Sequence, residues 1–503
     1  LLSAMYRVSS TDWYGTGQLK NIKIHGGGVL DLTQTGGMTT QYWGSRYAIS
    51  MGSTVGIDIF GITFKGGQFS NVIAGAKWGG HQNIYNNKFI DTFTDSPHSE
   101  DHSTLYLLSP NSHAYNNTFE LNSIGGRAIA CACELHNSDQ TFYGNVIKGY
   151  WSAVYFTAME APWEHAAGDM VSNQHVYDNI AYCSTRFTWF DGTANVKISS
   201  FSCHDNTLNY VDYPTDPELA SIGRIRNYRG PHFFDVISAT SSVLDYVYGA
   251  TDQFEIYNNT QAYVDQSNSN FGSFISFTAL FGRNLKVRNN KISTKQLTSF
   301  NGGITTSLNY IFDGFEFYGN DIDASKLTSN GSFALRAYSC LNMNIDIALN
   351  NGLTHTNSAS TFFSLTVNDG ANSIGNTVKI KCLAFDVSKR TGLWLDIYGS
   401  ASSYSQSNAF CVPYNCLFSS YAQGGVNLVY TTLTSQTSGA WYGELLSLGW
   451  FPVTAMQTFI PRYATKEMRT GQAATLSFRV ESNQDLSSLV GNVTVPIQLY
   501  KNI

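Results

Sequence analysis

The stretch Asn83-Ile-Tyr-Asn-Asn-Lys-Phe-Ile90 decides the fold, because its pattern returns along the whole chain. The pattern is an aromatic or apolar residue, a small polar residue or Gly, Asn, and then a short apolar strand. The last Asn of each copy lies at position 87, 117, 145, 179, 206, 259, 290, 320, 350 or 376. The steps are 26 to 34 residues long, apart from one of 53, and a period in this range is typical of a solenoid.

Between the Asn motifs, apolar residues alternate with other residues over four to six positions, as in Thr104–Leu108, Ala153–Thr157 and Ser273–Thr278. This alternation is that of a half-buried strand and disfavours helical repeats. An Asn at the bend tolerates the left-handed conformation, and stacked Asn amides can hydrogen-bond from coil to coil. The sequence therefore predicts an all-β, right-handed parallel β-helix of about twelve coils, stacked about 4.8 Å apart.

The repeat also predicts the domain organisation. Residues 1–20 cap or lead into the first coil, residues 21–400 form the β-helix, and residues 401–429 connect it to the C-terminal region. Residues 430–503 form a small antiparallel β-sandwich that shields the C-terminal edge or holds chains together. Insertions interrupt the coils at 91–103, 158–173 and 209–230. The step of 53 is also compatible with two short coils.

Composition excludes several classes of function. The 503 residues are 43% hydrophobic, 14% aromatic and only 13% charged, with a net charge of −6 and scattered basic residues, so neither nucleic acid nor an anionic membrane is an expected partner. No apolar stretch is long enough to span a membrane. Eight Cys form no zinc motif, and Cys131 and Cys133 are expected in the core. The first residues contain no signal peptide and no initiator Met, which indicates a fragment without its N-terminal part.

Insertions are where a solenoid carries function, and the three insertions flank the same strand of the coil. That strand places acids along one rim of an expected groove and cations along the other, with aromatic residues between them. The candidate catalytic acids are Glu134, Glu160, Glu164, Asp191 and Asp235. The candidate substrate-binding residues are Tyr106, Arg127, Trp151, Tyr155, Trp163, His165, Arg186, Trp189, Arg226, Arg229 and His232.

An acidic groove with aromatic faces suits a sugar chain. Glycoside hydrolysis needs two carboxyl groups, either about 5 to 5.5 Å apart in retaining enzymes or about 6.5 to 9.5 Å apart in inverting ones. Acids on adjacent coils meet either requirement. A cation site at His98 to His102 is disfavoured because such loop residues are more often solvated, and no cofactor or metal is expected. The chain also lacks the Gly-x-Ser-x-Gly motif of serine hydrolases.

The Asn-bearing repeat, the opening Ile24-His-Gly-Gly-Gly-Val-Leu-Asp31 and the stretch Gly56–Phe64 resemble the pectate-lyase-like β-helix superfamily, and within it the receptor-binding tailspikes of bacteriophages. The resemblance implies a homotrimer in the virion tail, attached to other tail proteins through a missing N-terminal region, that binds and cleaves a bacterial capsule or O-antigen outside the cell. The polygalacturonase signatures Asn-Thr-Asp and Gly-His-Gly are absent, so no catalytic residue is carried over from those enzymes.

Three functions follow from this pattern. The first is a depolymerase that hydrolyses a bacterial surface polysaccharide with paired carboxylates. The second is a polysaccharide lyase, with Tyr155 or His165 as base and Arg186 or Arg226 neutralising a uronate. The third is an adhesin that binds carbohydrate without cleaving it. The sequence names neither the sugar nor the pair of acids.

Overall fold

The computed structural model describes residues 2–3, 19–33, 47–52, 54–69, 71–94, 103–121, 131–183, 186–193, 196–211, 232–239, 251–262, 273–277, 282–293, 296–300, 312–313, 316–322, 335–338, 340–341, 344–349, 361–367, 377–382, 392–401, 406–410, 416–419, 426–436, 450–451, 456–459, 464–468 and 472–482. Within these residues all regular structure is β. None of the described residues forms a helix that could cross a membrane. The chain divides into two compact units, one mainly 1–241 and the other mainly 271–503.

The strands up to residue 239 are short. They are β1 (Leu2–Ser3), β2 (Lys20–His25), β3 (Val29–Asp31), β4 (Ile49–Gly52), β5 (Val55–Phe60), β6 (Thr63–Lys65), β7 (Gln68–Phe69), β8 (Ile73–Gly75), β9 (Gly80–Tyr85), β10 (Lys88–Ile90), β11 (Phe93–Thr94), β12 (Ser103–Leu107), β13 (Ser112–Tyr115), β14 (Thr118–Glu120), β15 (Cys131–Leu135), β16 (Gln140–Tyr143), β17 (Val146–Lys148), β18 (Ser152–Ala158), β19 (Met170–Tyr177), β20 (Ile180–Cys183), β21 (Arg186–Thr193), β22 (Lys197–His204), β23 (Thr207–Tyr210) and β24 (His232–Ala239).

The strands after residue 250 follow the same numbering. They are β25 (Thr251–Tyr257), β26 (Thr260–Ala262), β27 (Ser273–Phe277), β28 (Gly282–Arg288), β29 (Lys291–Ile292), β30 (Gln296–Phe300), β31 (Phe312–Asp313), β32 (Glu316–Tyr318), β33 (Asp321–Ile322), β34 (Leu335–Tyr338), β35 (Cys340–Leu341), β36 (Asn344–Leu349), β37 (Thr361–Val367), β38 (Thr377–Cys382), β39 (Gly392–Ala401), β40 (Gln406–Phe410), β41 (Cys416–Ser419), β42 (Val426–Gln436), β43 (Trp450–Phe451), β44 (Met456–Phe459), β45 (Ala464–Met468) and β46 (Gln472–Ser482).

The coils of the first unit contribute three main strands each, and each of these pairs in parallel with its counterpart in the next coil. In two coils a short fourth strand, β7 or β11, forms a further parallel pair. One sheet runs β1-β4-β8-β12-β15-β18-β21-β24. The second strands run β2-β5-β9-β13-β16-β19-β22, and the third run β3-β6-β10-β14-β17-β20-β23-β26. This pairing is the parallel β-helix that the repeat predicts, while the number of coils stays a prediction.

The structure contains the predicted Asn ladder, but two neighbouring residues of the motif have separate roles, one in the turn and one in the ladder. The first residue of the turn has a positive φ, near 55° at Asn86 and Asn116 and 64° at Gly144. Asn and Gly are favoured there because they adopt this left-handed region at low cost. The second residue, always Asn, is buried and forms the ladder. We expected one Asn to do both, and the structure assigns the two requirements to neighbouring positions.

In the ladder, each Asn side chain joins three coils. The amide of Asn117 donates to the Ile84 carbonyl at 2.9 Å and to Asn145 Oδ1 at 3.1 Å. Its own Oδ1 accepts the backbone N–H of Asn87 at 3.0 Å and the Asn87 amide at 3.2 Å. The same arrangement continues through Asn145, Asn179, Asn206 and Asn259. Buried turn amides are thereby satisfied without water, as buried polar groups require.

Side chains also stack at the coil spacing. Phe64, Phe89 and Phe119 stack in the core with ring centroids 4.9 and 5.0 Å apart. A second column of half-buried rings stacks at 4.7 to 5.1 Å and contains Phe60, Tyr85, Tyr115, Tyr143, Tyr177 and His204. Cys131 and Cys133 are fully buried, as predicted. The core therefore consists of columns of like residues that hold the strands in register.

The second unit begins with parallel pairing and ends with antiparallel pairing. β34, β37 and β39 pair in parallel, and β39 then pairs antiparallel with β46. β46 also pairs with β42, β40 with β45, and β41 with β44, all antiparallel. Antiparallel strands thus lie in the predicted C-terminal region, and they pair with β39, β40 and β41, which precede it. The sandwich itself, the domain boundaries and the trimer stay predictions.

Candidate functional site

Strand register in the first unit brings several candidate residues into one row across the first sheet. Tyr106 pairs with Glu134, Glu134 with Tyr155, Tyr155 with Trp189, and Trp189 with Asp235. We call these five residues the sheet row. Adjacent strands in a sheet lie about 4.8 Å apart, so the row places acids and aromatic residues at regular intervals. Residues separated by up to 129 positions in sequence thus lie in one row across five adjacent strands.

Arg186 connects the aromatic residues of the sheet row. Its Nη2 donates to the Tyr155 hydroxyl at 3.1 Å, and its Nε donates to Ser152 Oγ at 3.1 Å. The guanidinium carbon lies 4.4 Å from the Trp189 ring centroid, and the Tyr155 and Trp189 rings meet edge to face at 4.5 Å. Burial raises the pKa of Tyr155, although the Arg186 charge opposes that rise. Tyr155 is therefore a neutral phenol held by a buried cation.

A buried ion cluster lies beside the sheet row and consists of Glu134, His136 and Glu164. His136 Nε2 is 3.0 Å from Glu134 Oε2, and His136 Nδ1 is 3.0 Å from Glu164 Oε1. Thr157 Oγ1 lies 2.7 Å from the same Nδ1, and the Tyr106 ring packs against the imidazole with centroids 4.3 Å apart. All three charged side chains are almost completely buried. We call this group the ion cluster.

The ion cluster fixes the charge of its histidine. Burial alone lowers the pKa of His136, but the Glu164 charge and the hydrogen bonds that the imidazole donates to Glu134 and Glu164 outweigh burial and raise the pKa to about 10. Burial raises the pKa of Glu164, and the charge and hydrogen bond of His136 overcome this, so the net pKa is lowered. At neutral pH His136 is a cation and Glu164 an anion. An imidazolium is not a general base, so Thr157 and His136 do not form a nucleophilic pair.

One oxygen of each carboxylate in the ion cluster remains unmatched. Glu134 Oε1 and Glu164 Oε2 are buried and have no hydrogen-bond partner among the described residues. Buried carboxylate oxygens normally accept a hydrogen bond, so two exceptions in one cluster indicate that the cluster has a specific structural or functional role. Among the described residues, no group of three or more His, Cys, Asp or Glu is placed to hold a metal ion.

The insertion at 158–173 is described throughout and forms a compact structure over the ion cluster. The Glu164 N–H donates to the Ala161 carbonyl at 2.9 Å, which closes a turn at 161–164. His165 Nε2 lies 2.6 Å from the carbonyl oxygen of His136. Trp163 is 54% exposed at this turn, whereas Glu164 next to it is fully buried. Glu160 is exposed.

The other candidates fall into three groups. Trp151 is only 5% exposed and has little accessible ring surface. Asp191, Asp235 and His232 are placed by strand register, with Asp191 paired to Ile237, and Arg186 paired to His232. Three candidates lie outside the described residues, as do most of the insertions at 91–103 and 209–230. These are Arg127, Arg226 and Arg229.

Sequence reasoning missed His136 and Thr157. The signal for His136 was present, because Glu134 was a candidate and residues two apart on a strand share a face. The contact with Glu164 was harder to foresee, since it depends on how the insertion folds back onto the sheet. Thr157 was quoted only as the end of a strand, yet its register one coil beyond His136 brings its hydroxyl to the imidazole.

Comparisons with known proteins agree with this architecture. No family model and no curated protein sequence matches the chain. Among solved structures, the tailspike protein of E. coli bacteriophage HK620 in complex with a pentasaccharide is similar, with a TM-score of 0.55, 16% identity, and coverage of 93% of this chain and 76% of that chain. A double mutant of that tailspike with a pentasaccharide gives a TM-score of 0.57 at 14% identity, and a mutant with a hexasaccharide gives 0.56 at 14%. The fold is therefore a tailspike-like parallel β-helix.

Proposed function

We propose that this protein is a phage tailspike that binds a bacterial surface polysaccharide, a capsule or an O-antigen, and depolymerises it by endo-acting glycoside hydrolysis. The sheet row is the observation that carries the proposal, because it combines acids and aromatic rings at the spacing of a sugar-binding groove. The fold is shared with tailspikes whose structures contain penta- and hexasaccharides. The proposal includes a homotrimer in the virion tail, acting at the bacterial surface.

The acid pair that register favours is Asp191 and Asp235. Asp191 pairs with Ile237, which lies two residues beyond Asp235 on the adjacent strand. One strand spacing combined with two residues along a strand gives a diagonal of roughly 8 Å between these backbone positions. Carboxyl groups carried at this backbone spacing can reach the separation of about 6.5 to 9.5 Å that inverting glycosidases use. We therefore expect Asp191 and Asp235 to act as acid and base with inversion.

The remaining acids fit the role less well. Glu134 is three strands from Asp235 in the sheet row, roughly 14 Å away, which is too far for paired catalysis. Glu164 is fully buried and bound to His136. Glu160 is exposed on the insertion and is not a member of the sheet row. The half-buried Trp189 would line the sugar site next to the proposed pair, while the buried Tyr155 and Arg186 would hold its ring in place.

The test is substitution of each acid by its amide in the purified protein. Asp191→Asn and Asp235→Asn should each abolish the fall in molecular weight of the polysaccharide while leaving its binding intact. Glu160→Gln is the matched control and should retain full activity. If Asp191→Asn and Asp235→Asn both remain fully active, the proposed pair is wrong. Wild-type protein that binds polysaccharide without shortening it would instead indicate an adhesin.

A lyase is the second candidate, and the contact between Arg186 and Tyr155 favours it. A cation close to a tyrosine could neutralise a uronate while the phenolate removes a proton. The raised pKa of Tyr155 opposes this role at neutral pH. Digestion products with strong ultraviolet absorbance from a new double bond would identify a lyase. Products without that absorbance, released with an inverted anomeric configuration in proton NMR, would support the hydrolase.

A further inference from the structure

The turn at 161–164 presents an exposed tryptophan on a firmly held backbone. Trp163 is 54% exposed, whereas tryptophan is highly buried on average in proteins. The turn is closed by the hydrogen bond from the Glu164 N–H to Ala161, and Ala161 N–H donates to the His165 carbonyl at 3.0 Å. Glu160 and His165 also form a β-bridge. A large apolar ring is thus kept in solvent by a structured turn.

Three contacts fasten this turn to other coils. Glu164 Oε1 accepts hydrogen bonds from His136 Nδ1 at 3.0 Å and from the Met159 N–H at 2.9 Å. His165 is tied to the His136 carbonyl. Farther along the insertion, Asp169 Oδ2 lies 3.8 Å from Lys77 Nζ, which belongs to a coil three strands earlier in the first sheet. The insertion therefore folds back across the intervening coils and is anchored at both ends.

Apolar side chains would be enough to hold the turn at 161–164 against the sheet, yet the protein uses the charged ion cluster. Taking two carboxylates and an imidazolium out of water is costly, and an apolar anchor would hold the turn at lower cost. Charged clusters fix one geometry, because the hydrogen bonds are directional and an unpaired buried charge is strongly disfavoured. The position that this geometry fixes is that of Trp163, the residue directly before Glu164. Rigid placement of an aromatic ring lowers the entropy lost when a ligand binds.

We propose that the turn at 161–164 is an accessory sugar-binding site, with Trp163 as the stacking face and with Glu164 and His136 as positioning residues. The proposal rests on the proposed function, and it names a site outside the sheet row. Its ligand is a pyranose ring of the polysaccharide, since the exposed Trp163 ring offers an apolar face on which the CH groups of a sugar can stack. A site of this kind adds affinity for long chains and does not take part in bond cleavage.

The first test compares three variants of the full chain on a polysaccharide that the wild-type protein cleaves, chosen from a panel of purified capsules and O-antigens. Trp163→Ala should raise KM for the polymer roughly three- to tenfold with kcat unchanged, the effect expected from loss of one aromatic stacking contact. Trp163→Phe should restore most of the affinity. Met170→Ala, which removes a side chain 60% exposed on the same insertion, is the matched control and should leave KM unchanged.

The second test examines positioning directly. In protein labelled with 5-fluorotryptophan, the fluorine NMR resonance of Trp163 is assigned by its absence in Trp163→Phe. Glu164→Gln should shift or broaden that resonance and raise KM without lowering kcat. An unchanged resonance, or a collapse of kcat at constant KM, would overturn the positioning role and return Glu164 to the candidate catalytic acids.

The outcomes separate this inference from the proposed function. If the wild-type protein neither binds nor cleaves any polysaccharide in the panel, the proposed function fails and the accessory site fails with it. If the wild-type protein cleaves a polysaccharide and Trp163→Ala has the same KM, only the accessory site is refuted. If the wild-type protein is a trimer in size-exclusion chromatography and Trp163→Ala is not, the Trp163 ring contacts protein and not sugar, and the accessory site is refuted.

Discussion

Asn116 and Asn117 are adjacent in sequence, yet we expect opposite responses to substitution. Asn116 has a φ of 55° and occupies the left-handed position of the turn. Asn117 is fully buried and belongs to the ladder. Asn117→Ala should strongly destabilise the coil, whereas Asn116→Gly should be nearly neutral because glycine adopts positive φ without strain.

The magnitude follows from the four hydrogen bonds of the Asn117 side chain. Its Oδ1 accepts the buried backbone N–H of Asn87, which loses this acceptor in Asn117→Ala. An unsatisfied buried donor costs about 1 to 3 kcal/mol, and each of the other three bonds contributes about 1 kcal/mol. The expected loss is therefore about 4 to 6 kcal/mol, against less than about 1 kcal/mol for Asn116→Gly.

Hydrogen exchange read by mass spectrometry provides the assay, because it measures local opening within a coil. Peptides covering residues 80–90 should exchange roughly a thousand to ten thousand times faster in Asn117→Ala, as a tenfold change corresponds to about 1.4 kcal/mol. Asn116→Gly should match the wild type. Equal exchange in the two variants would refute the division of the motif into a turn residue and a ladder residue.

Three further predictions concern the first unit. The contribution of the ion cluster to stability should be greatest between about pH 4.3 and 6.5, the unfolded pKa values of Glu and His. This contribution should decline as the pH rises towards the folded-state pKa of His136, about 10, and also as the pH falls through the lowered pKa of Glu164. The measurement is the difference in melting temperature between the wild type and His136→Gln across this pH range. Phe119→Ala removes a fully buried ring from the core stack and should cost about 3 to 5 kcal/mol in chemical denaturation, unlike an exposed substitution such as Met170→Ala. Arg186→Lys keeps the charge but cannot form both hydrogen bonds while covering Trp189. The rate of polysaccharide cleavage should therefore fall at least about tenfold, with an unchanged circular dichroism spectrum. Full activity would contradict a role for this guanidinium.

The fold could be predicted because its signal is repeated and local. The spacing from Asn117 to Asn145 equals one coil, and the same two residues are hydrogen-bonded in the structure. Alternation in Ala153–Thr157 likewise identified the strand that carries Tyr155. What the repeat could not reveal was which residue of the turn adopts positive φ, since Asn satisfies both the turn and the ladder.

The candidate site was less predictable, because its contacts depend on an interruption of the repeat. Glu134 and Glu164 were both recognised as candidate acids, but no periodicity shows that one imidazole joins them. His136 became visible only when the insertion was seen to fold back onto the sheet. Trp151 and Trp189 looked equivalent in sequence, and only packing separates the buried ring from the half-buried one.

Because of the Asn ladder, each coil presents the same hydrogen-bonding groups to its neighbours, so one coil could take the place of another. Each ladder Asn donates its side-chain amide to the coil before it and to the coil after it, and its Oδ1 accepts the backbone N–H and the amide of the Asn in the coil before it. Removing one uninterrupted coil would bring together two ends with the same chemistry, so the ladder could close again. A protein built in this way can change length in whole turns while its binding insertions keep their local surroundings, which gives evolution a simple route to new spacings between fixed recognition sites.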